Sequence, residues 1–423
     1  MKRVFFKTFG CRTNIFDTQV MMNNLKDFTI TTDEKEASIV VINSCTVTNS
    51  ADSTARSYIN SLKKLPLNPR VIFTGCGVWT KGESLYKDNK IDALFGHSEK
   101  EKINSLLKDD TRFFEAGDLT HIDDTIIEKM IGKSRAFVKI QEGCDFRCNY
   151  CIIPFVRGDS RSYEEGKILE QITTLASNGF GEFILTGTNV GSFGKQFAVK
   201  NKKDKLAQLI KKISMIRGVR RIRLGSVEPV QITDEFEEIL SEPWMGKYLH
   251  IALQHTSKEM LNIMNRRNKV KSDLELFELL ASKGYAIGTD FIVGHPGESD
   301  IFWKDAMSNL DKFPLTHIHS FTYSKRDGTP SATMSHQVNG AVAKERLKQL
   351  EDKIKSKNIE FRKKQKNLDI LVESVTRKDN SSIYTGYDQF FNSMEIESDT
   401  DLVGDWINID KYEVKDKINV SKF

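Results

Sequence analysis

Three cysteines close behind short apolar runs constrain the fold of the first part of the chain most strongly. The runs and the cysteines that follow them are Val4–Thr8 with Cys11, Ile39–Ile42 with Cys45, and Val71–Thr74 with Cys76. Helix-like segments near 14–26 and 48–64 separate the runs, which predicts βαβ units and a parallel sheet. Because parallel strands end at one edge of a sheet, we expect the three thiols to converge there. Three separate buried thiols are the alternative.

A second group of strand-like segments extends from about Arg135 to His336. The candidate strands are Ala136–Ile140, Glu182–Thr186, Arg221–Leu224, His250–Leu253, Ala286–Val293 and His317–Thr322. Helical patterns fill the gaps, for example at 164–177 and 273–283. Six βα units in series predict a barrel or a partial barrel, in which functional residues follow the strands.

A basic helix is predicted over Ala341–Asn367, where residues 344–367 carry ten Lys or Arg against four Asp or Glu. This charge pattern is that of a solvated helix or of a helix that contacts phosphate. The last fifty or so residues have short apolar runs separated by polar turns, which predicts a small β module.

Composition excludes several classes of protein. The chain has 423 residues, of which 39% are hydrophobic and 29% are charged, as in globular and not disordered proteins. It contains no apolar run of about 18 residues and begins without a signal-peptide pattern. We therefore expect a cytoplasmic protein with no membrane partner. The net charge of +5 is compatible with a nucleic-acid partner but does not establish one.

The other three cysteines form a C-x3-C-x2-C motif in EGCDFRCNYCIIP, residues 142–154. They are Cys144, Cys148 and Cys151, and no fourth cysteine or histidine follows closely. A structural zinc site takes four ligands, whereas thiolates also bind iron–sulfur clusters. Three thiolates on a four-iron cubane leave one iron free to bind a substrate. Six cysteines without a secretion signal favour metal ligands or catalytic thiols over disulfides.

With Tyr150 before its last cysteine, this motif resembles the signature of radical S-adenosylmethionine enzymes. The resemblance implies that the open iron of a [4Fe-4S] cluster chelates S-adenosylmethionine, whose cleavage yields a 5′-deoxyadenosyl radical. An α/β domain with three strand-end cysteines before this part, and a β module after it, resembles the methylthiotransferases over essentially the whole chain. That family implies a second [4Fe-4S] cluster on Cys11, Cys45 and Cys76, which carries the sulfur to be inserted.

The resemblance also implies a division into three domains. We expect a parallel-sheet α/β domain at 1–125, a radical S-adenosylmethionine partial (βα)6 barrel at 130–360, and a small β-barrel similar to the TRAM domain at 365–423. The implied partners are the anticodon stem-loop of tRNA and an electron donor such as flavodoxin or ferredoxin. We expect the protein to be a monomer.

Four short sequence segments favour one substrate. NSCTVTNSADSTAR (43–56), CNYCIIPFVRG, RLGSVEP (223–229) and FTYSKRDGTPSATM (321–334) resemble the enzymes that convert N6-threonylcarbamoyladenosine at position 37 of tRNA to its 2-methylthio derivative. The same chemistry on isopentenyladenosine or on a ribosomal-protein aspartate is an alternative. A metal-containing RNA-binding protein without catalysis is another. The family's LQSGS reads LQHTS here, so His255 and Thr256 leave the shape of the pocket open.

The remaining site residues come from segments that follow strands. The expected cofactor-binding residues are Tyr150, Thr188, Asn189, Ser226, Glu228 and Gln254. We expect Arg157 and Arg161 to contact tRNA phosphates or the threonyl carboxylate, and Phe390 and Phe391 to stack on bases or contact the backbone. The alternatives are a structural arginine partner for Glu228, solvated arginines, and core packing for the two phenylalanines.

Overall fold

The computed structural model describes residues 1–195, 204–378 and 381–423. These residues form a parallel α/β part, a partial barrel and a curled β-sheet, which confirms the predicted fold class. None of the helices in these ranges is long and apolar enough to cross a membrane.

The first part is a six-stranded parallel sheet in the order β2-β1-β3-β4-β5-β6. Its strands are β1 Arg3–Thr8, β2 Thr29–Ile30, β3 Ile39–Ser44, β4 Arg70–Gly75, β5 Ala93–Phe95 and β6 Phe113–Glu115, and its helices are α1 Arg12–Asn24, α2 Asn49–Leu62, α3 Gly82–Lys87 and α4 Ile103–Leu106. The central strand β3 is buried along its whole length, as its apolar sequence IVVI requires. Phe16 and Val20 of α1 pack into the core of the barrel, so the two parts share packing.

The second part is a partial barrel of six parallel βα units. Its elements are β7 Ala136–Lys139, β8 Gln141–Glu142, α5 Ile153–Arg157, β9 Arg161–Ser162, α6 Glu165–Ser177, β10 Glu182–Thr186, α7 Lys205–Ser214, β11 Arg221–Leu224, α8 Asp234–Ile239, β12 Tyr248–His250, α9 Lys258–Ile263, α10 Val270–Ser282, β13 Ala286–Val293, α11 Asp300–Lys312 and β14 His317–Thr322. The sheets β11-β10-β7 and β12-β13-β14 are joined by a bridge between Val227 and Ile251.

The predicted strand His250–Leu253 is wrong in position, because β12 ends at His250. The Leu253 amide donates to the Ile251 carbonyl at 3.0 Å, and Gln254 has φ of +67°, so the backbone turns where the pattern predicted a strand. This turn points Gln254 towards the cavity described below.

The third part follows a long helix, α12 Gly340–Lys363, which packs against β14. It is a curled sheet in the order β18-β15-β16-β17-β20-β19, formed by β15 Leu368–Lys378, β16 Ser381–Tyr387, β17 Ser393–Ser398, β18 Trp406–Ile409, β19 Glu413–Val414 and β20 Asn419–Lys422. The turn between β16 and β17 docks on the barrel, where Arg223 donates to the carbonyls of Asp388 (2.5 Å) and Gln389 (3.1 Å).

Candidate active site

The loop triad, Cys144, Cys148 and Cys151, follows β8 in a tight turn that begins at Gly143. Gly143 has φ of +72°, and a Cβ there would lie 1.9 Å from the Asp159 carbonyl oxygen, so only glycine fits. The Cys151 amide donates to the Cys148 carbonyl at 3.0 Å, which holds the second half of the loop. Burial raises the pKa of the Cys151 thiol to about 12, and the neighbouring Cys148 adds to the rise.

A cavity of about 320 Å³ opens beside the loop triad. The triad contributes to its wall together with five of the six residues predicted to bind the cofactor: Tyr150, Thr188, Ser226, Glu228 and Gln254. The sixth, Asn189, lies behind the wall with its Nδ2 3.9 Å from Cys144 Sγ. Its buried Oδ1 has no hydrogen-bond partner among the described residues, which leaves an acceptor free at this site.

Arg266 is a functional candidate that the sequence did not indicate. It forms a buried salt bridge in which Nη1 lies 2.9 Å from Glu228 Oε1, and the same Nη1 lies 3.6 Å from Cys148 Sγ. Burial opposes its charge, but Tyr150 and Glu228 raise the pKa of Arg266 well above its ordinary value. Glu228 therefore lines the cavity, as expected for a cofactor-binding residue. It also pairs with an arginine, as expected for a structural residue.

The strand triad, Cys11, Cys45 and Cys76, lies where β1, β3 and β4 end. Gly10 has φ of +95°, and a Cβ on it would lie 2.6 Å from the Cys45 Cβ, so glycine permits the close approach of these chain segments. Cys11 is exposed and Cys76 is buried. Burial raises the pKa of Cys45 to about 12, with Cys76 and Cys11 as neighbouring thiols that add to the rise.

Both triads have the donor set of an iron–sulfur cluster: three thiols, one open side, and one arginine that donates to a sulfur. Among the described residues, the sets of three ligand atoms that all lie within 4.8 Å of one another include neither triad. At least two sulfurs of each triad therefore lie more than 4.8 Å apart.

Arg157 lies beside the strand triad and is 2% exposed. Its Nε donates to Cys76 Sγ at 3.2 Å, Nη2 donates to Asn14 Oδ1 at 2.6 Å, and Nη1 pairs with Asp17 at 2.9 Å and with Glu142. Each of the three guanidinium nitrogens therefore donates to a partner inside the protein. This burial corrects the prediction that Arg157 contacts tRNA or the threonyl carboxylate.

Arg157 belongs to a buried ion network between the first part and the barrel. Asp17 of α1 also pairs with Lys139 of β7 at 2.6 Å, and with Lys100 at 3.1 Å. Burial opposes ionisation of Asp17, but Lys100, Lys139 and Arg157 hold its pKa well below the ordinary value. Because its charges come from both parts, the network fixes the strand triad relative to the barrel.

The three further residues predicted to contact RNA all have partners within the protein. Arg161 donates from Nε to the His121 carbonyl at 3.0 Å and from Nη1 to the Arg157 carbonyl at 2.8 Å. Phe390 is 8% exposed in the core of the curled sheet. Phe391 stacks 5.2 Å from the Tyr248 ring, where the curled sheet meets the barrel. Burial corrects the prediction for Phe390, for which core packing holds, whereas Arg161 and Phe391 are half-buried and their contact with RNA stays a prediction.

His255 and Thr256, which differ from the family's LQSGS, are not part of the cavity wall. Both residues are buried, with His255 Nε2 3.4 Å from Glu298 and the Thr256 hydroxyl donating to the Ala306 carbonyl at 2.7 Å. Gln254, the residue before them, is the one that lines the cavity.

Sequence reasoning missed the residues that support the triads: Asn14, Asp17, Glu142 and Arg266. Asn14, Asp17 and Arg266 are far from their partners in sequence, and none of the four residues follows a ligand spacing. The available signals were polar residues close to the cysteines, namely the RTN that follows Cys11 and Glu142, two residues before Cys144.

Comparison with known proteins gives the same order of parts. Residues 3–96 match the family described as "Uncharacterized protein family UPF0004", and residues 138–308 match the radical SAM superfamily. The radical S-adenosylmethionine methyltransferase TsrM of Kitasatospora setae, solved with cobalamin and a [4Fe-4S] cluster, is similar with a TM-score of 0.60 at 14% identity, over 78% of this chain and 77% of that one. At this identity the likeness concerns the fold alone.

Three relatives are similar over nearly the whole chain. A protein of Helicobacter pylori (strain 26695), named "Putative methylthiotransferase", is 52% identical over 100% of both chains. The threonylcarbamoyladenosine tRNA methylthiotransferase MtaB of Thermotoga maritima is 30% identical over 92% of this chain and 90% of the relative. The tRNA-2-methylthio-N(6)-dimethylallyladenosine synthase of Staphylococcus haemolyticus is 30% identical over 97% of this chain and 82% of the relative. The chain belongs to the methylthiotransferase family of radical S-adenosylmethionine enzymes.

Proposed function

We propose that this protein is a tRNA methylthiotransferase that converts N6-threonylcarbamoyladenosine at position 37 to its 2-methylthio derivative. The observation that carries the proposal is the presence of two three-cysteine sites, linked by one buried ion network, with an open cavity beside the loop triad. A C2–H bond of adenine is neither acidic nor electrophilic, so its replacement by a methylthio group calls for radical chemistry.

In this proposal the loop triad holds a [4Fe-4S] cluster and the cavity holds S-adenosylmethionine. The bound pair supplies the radical that removes hydrogen from the substrate. Tyr150, Thr188, Ser226 and Gln254 shape the cavity wall, and the free Oδ1 of Asn189 offers an acceptor. Glu228 holds Arg266 against Cys148, so its proposed role is to position that arginine as well as to face the cofactor.

The strand triad holds the second [4Fe-4S] cluster in this proposal, and its open side supplies the sulfur. Cys11 is exposed, Cys45 is half-buried and Cys76 is buried, so a group held by all three would be accessible from one side. Arg157 donates to Cys76 from the buried side and excludes water there. The two cysteine sites thus have separate tasks, one in forming the radical and one in sulfur transfer.

The names of the relatives divide between two tRNA substrates, threonylcarbamoyl- and dimethylallyladenosine. The resemblance of residues 43–56, 223–229 and 321–334 to the threonylcarbamoyladenosine enzymes supports the first. We also propose that the chain has three domains, at 1–125, 130–360 and 365–423, and that it acts as a monomer in the cytoplasm. Its substrate is the anticodon stem-loop of tRNA, and its electron donor is flavodoxin or ferredoxin.

Nucleoside analysis of tRNA from a strain that lacks this protein tests the proposal. We expect methylthio-threonylcarbamoyladenosine to disappear, with its unthiolated precursor in its place, and methylthio-isopentenyladenosine to stay unchanged. The opposite pattern would assign isopentenyladenosine as the substrate. No change in either nucleoside would contradict a role in tRNA and direct attention to the ribosomal-protein aspartate.

A further inference from the structure

Arg12 is a cation without an anionic partner, next to the strand triad. It directly follows Cys11 and begins α1. Its side chain is half-buried, and Nη1 donates to the Leu224 carbonyl at 3.5 Å, a long hydrogen bond. Throughout 1–195, 204–378 and 381–423, no carboxylate lies within 4.0 Å of this guanidinium.

Two other arginines share the ring that Arg12 covers, and both are paired. The guanidinium carbons of Arg12, Arg135 and Arg223 lie 5.0, 5.3 and 5.3 Å from the centre of the Phe391 ring. Arg135 pairs with a carboxylate of Glu373, and Arg223 pairs with one at 2.9 Å. Of the three cations, Arg12 alone carries a charge that these contacts do not balance.

The buried arginines near the two triads follow the same rule. Arg157 pairs with Asp17 and Glu142, Arg266 pairs with Glu228, and Arg326 pairs with Asp52 at 2.6 Å. A partly desolvated guanidinium without a counter-charge costs free energy that a bound anion would recover. Arg12 is therefore a partly buried arginine beside the strand triad whose described contacts include no carboxylate, which makes it a candidate to bind an anion.

Arg12 connects the strand triad to the end of strand β11. Its neighbour Cys11 belongs to the strand triad, and its hydrogen-bond partner Leu224 is the last residue of β11. Ser226, two residues further along, lines the cavity beside the loop triad. We therefore expect a substrate that reaches from the strand triad to the cavity to come near the Arg12 side chain.

We propose that Arg12 binds an oxyanion of the RNA substrate, and that this oxyanion is the carboxylate of the threonylcarbamoyl group. The inference rests on the proposed function, since the isopentenyl group carries no charge. A guanidinium accommodates a carboxylate through two parallel N–H···O hydrogen bonds. A phosphate of the RNA backbone offers the same chemistry, and the experiment distinguishes these two sources.

The experiment compares binding of four anticodon stem-loops to the reconstituted full-length protein. Position 37 carries threonylcarbamoyladenosine, the same nucleoside with its carboxylate esterified, isopentenyladenosine, or adenosine. The variants are Arg12→Gln, Arg12→Lys and a control, Lys7→Gln, whose ammonium lies 5.1 Å from the Tyr58 ring in the same part of the chain. Iron content and circular dichroism of each variant check that it is folded and loaded.

We expect Arg12→Gln to weaken binding of the threonylcarbamoyl loop about tenfold or more, with little effect on the other three loops. Arg12→Lys keeps the charge and should recover part of the loss, while Lys7→Gln should not discriminate among the loops. With the unchanged protein, esterification of the carboxylate should cost a similar factor. This last comparison needs no variant, so it stands even where Arg12→Gln fails to fold.

Equal weakening of all four loops by Arg12→Gln would assign the oxyanion to a backbone phosphate and overturn the carboxylate assignment. Equal binding of the charged and esterified loops by the unchanged protein would overturn it as well. Failure of the proposed function looks different: the unchanged protein would then modify the isopentenyl loop and not the threonylcarbamoyl loop, whatever the behaviour of Arg12.

Discussion

Each of the two triads has three thiols, but the chain brings the thiols together in a different way at each site. The loop triad comes from eight consecutive residues, 144–151, and one backbone turn sets its geometry. The strand triad gathers Cys11, Cys45 and Cys76 from three strand ends, so the order of strands in the sheet sets its geometry. A short motif can therefore reveal the first site, whereas the second becomes visible only when the strands are recognised as parallel.

The arginine beside each triad is supported differently. Arg266 at the loop triad pairs with one carboxylate, Glu228, whose side chain is 14% exposed. Arg157 at the strand triad pairs with Asp17 and Glu142, whose side chains are 2% and 1% exposed. Arg157 also joins residues of the first part to residues of the barrel. The strand triad therefore depends on the docking of two parts, and the loop triad depends on one.

The largest expected difference concerns the division of chemistry between the triads. Cys148→Ala should abolish both cleavage of S-adenosylmethionine and methylthio product, because the loop triad is proposed to hold the cofactor's iron. Cys76→Ala should abolish product but keep reductive cleavage to 5′-deoxyadenosine. Chromatography of both products from the reconstituted variants measures this. If Cys76→Ala also ended cleavage, the proposed separation of tasks would be wrong.

The next effect concerns stability. Arg157→Gln leaves Asp17 and Glu142 buried with fewer cations, and loss of one partner from a buried ion pair costs about 3–5 kcal/mol. Arg266→Gln should cost less, because Glu228 is the more exposed carboxylate. Anaerobic thermal unfolding of the two variants compares them, with Arg157→Lys and Arg266→Lys as charge-retaining controls. A larger loss for Arg266→Gln would contradict the inferred role of docking.

A smaller effect concerns the reduction potentials of the two clusters. Hydrogen bonds to cysteine sulfurs raise the potential of an iron–sulfur cluster, and the donor lies closer in the strand triad (3.2 Å) than in the loop triad (3.6 Å). Arg157→Gln should therefore lower the potential of its cluster more than Arg266→Gln lowers that of the other. A redox titration followed by electron paramagnetic resonance measures both, and equal shifts would reject a special role for Arg157.

The smallest effect is a pH dependence behind the loop triad. Arg266 donates to Asn268 at 3.0 Å, and Asn268 donates to the buried Asp273 at 2.7 Å. Burial raises the pKa of Asp273 to about 6. Because the unfolded chain ionises near 3.9, this carboxyl costs the fold stability as pH rises from about 4 to about 6.

Asp273→Asn removes that cost. Its gain in the free energy of unfolding over the unchanged protein should be roughly 0.5–1 kcal/mol larger at pH 7.5 than at pH 5.5. Denaturant unfolding at the two pH values measures the difference, and Asp305→Asn, on the exposed face of α11, is the matched control. A gain that is the same at both pH values would mean that Asp273 is ionised throughout this range.

The sequence was sufficient for features that depend on local pattern. The parallel strands, the partial barrel, the loop triad and the position of five of the six predicted cofactor-binding residues in the cavity wall follow from periodicity, cysteine spacing and resemblance. Arg157 could not be assigned in this way, because the pattern that suggests an exposed phosphate-binding arginine is the same as that of a buried one. Its role depends on Asp17 and Glu142, whose contacts with it arise only when the first part docks on the barrel.

Iron and sulfide content after anaerobic reconstitution tests the central claim most directly. We expect about eight irons per chain, and about four when either the loop triad or the strand triad is replaced by alanine. Wild-type protein with about four irons, unchanged by replacement of the strand triad, would show that only one triad holds a cluster. One zinc and no iron would contradict the account altogether.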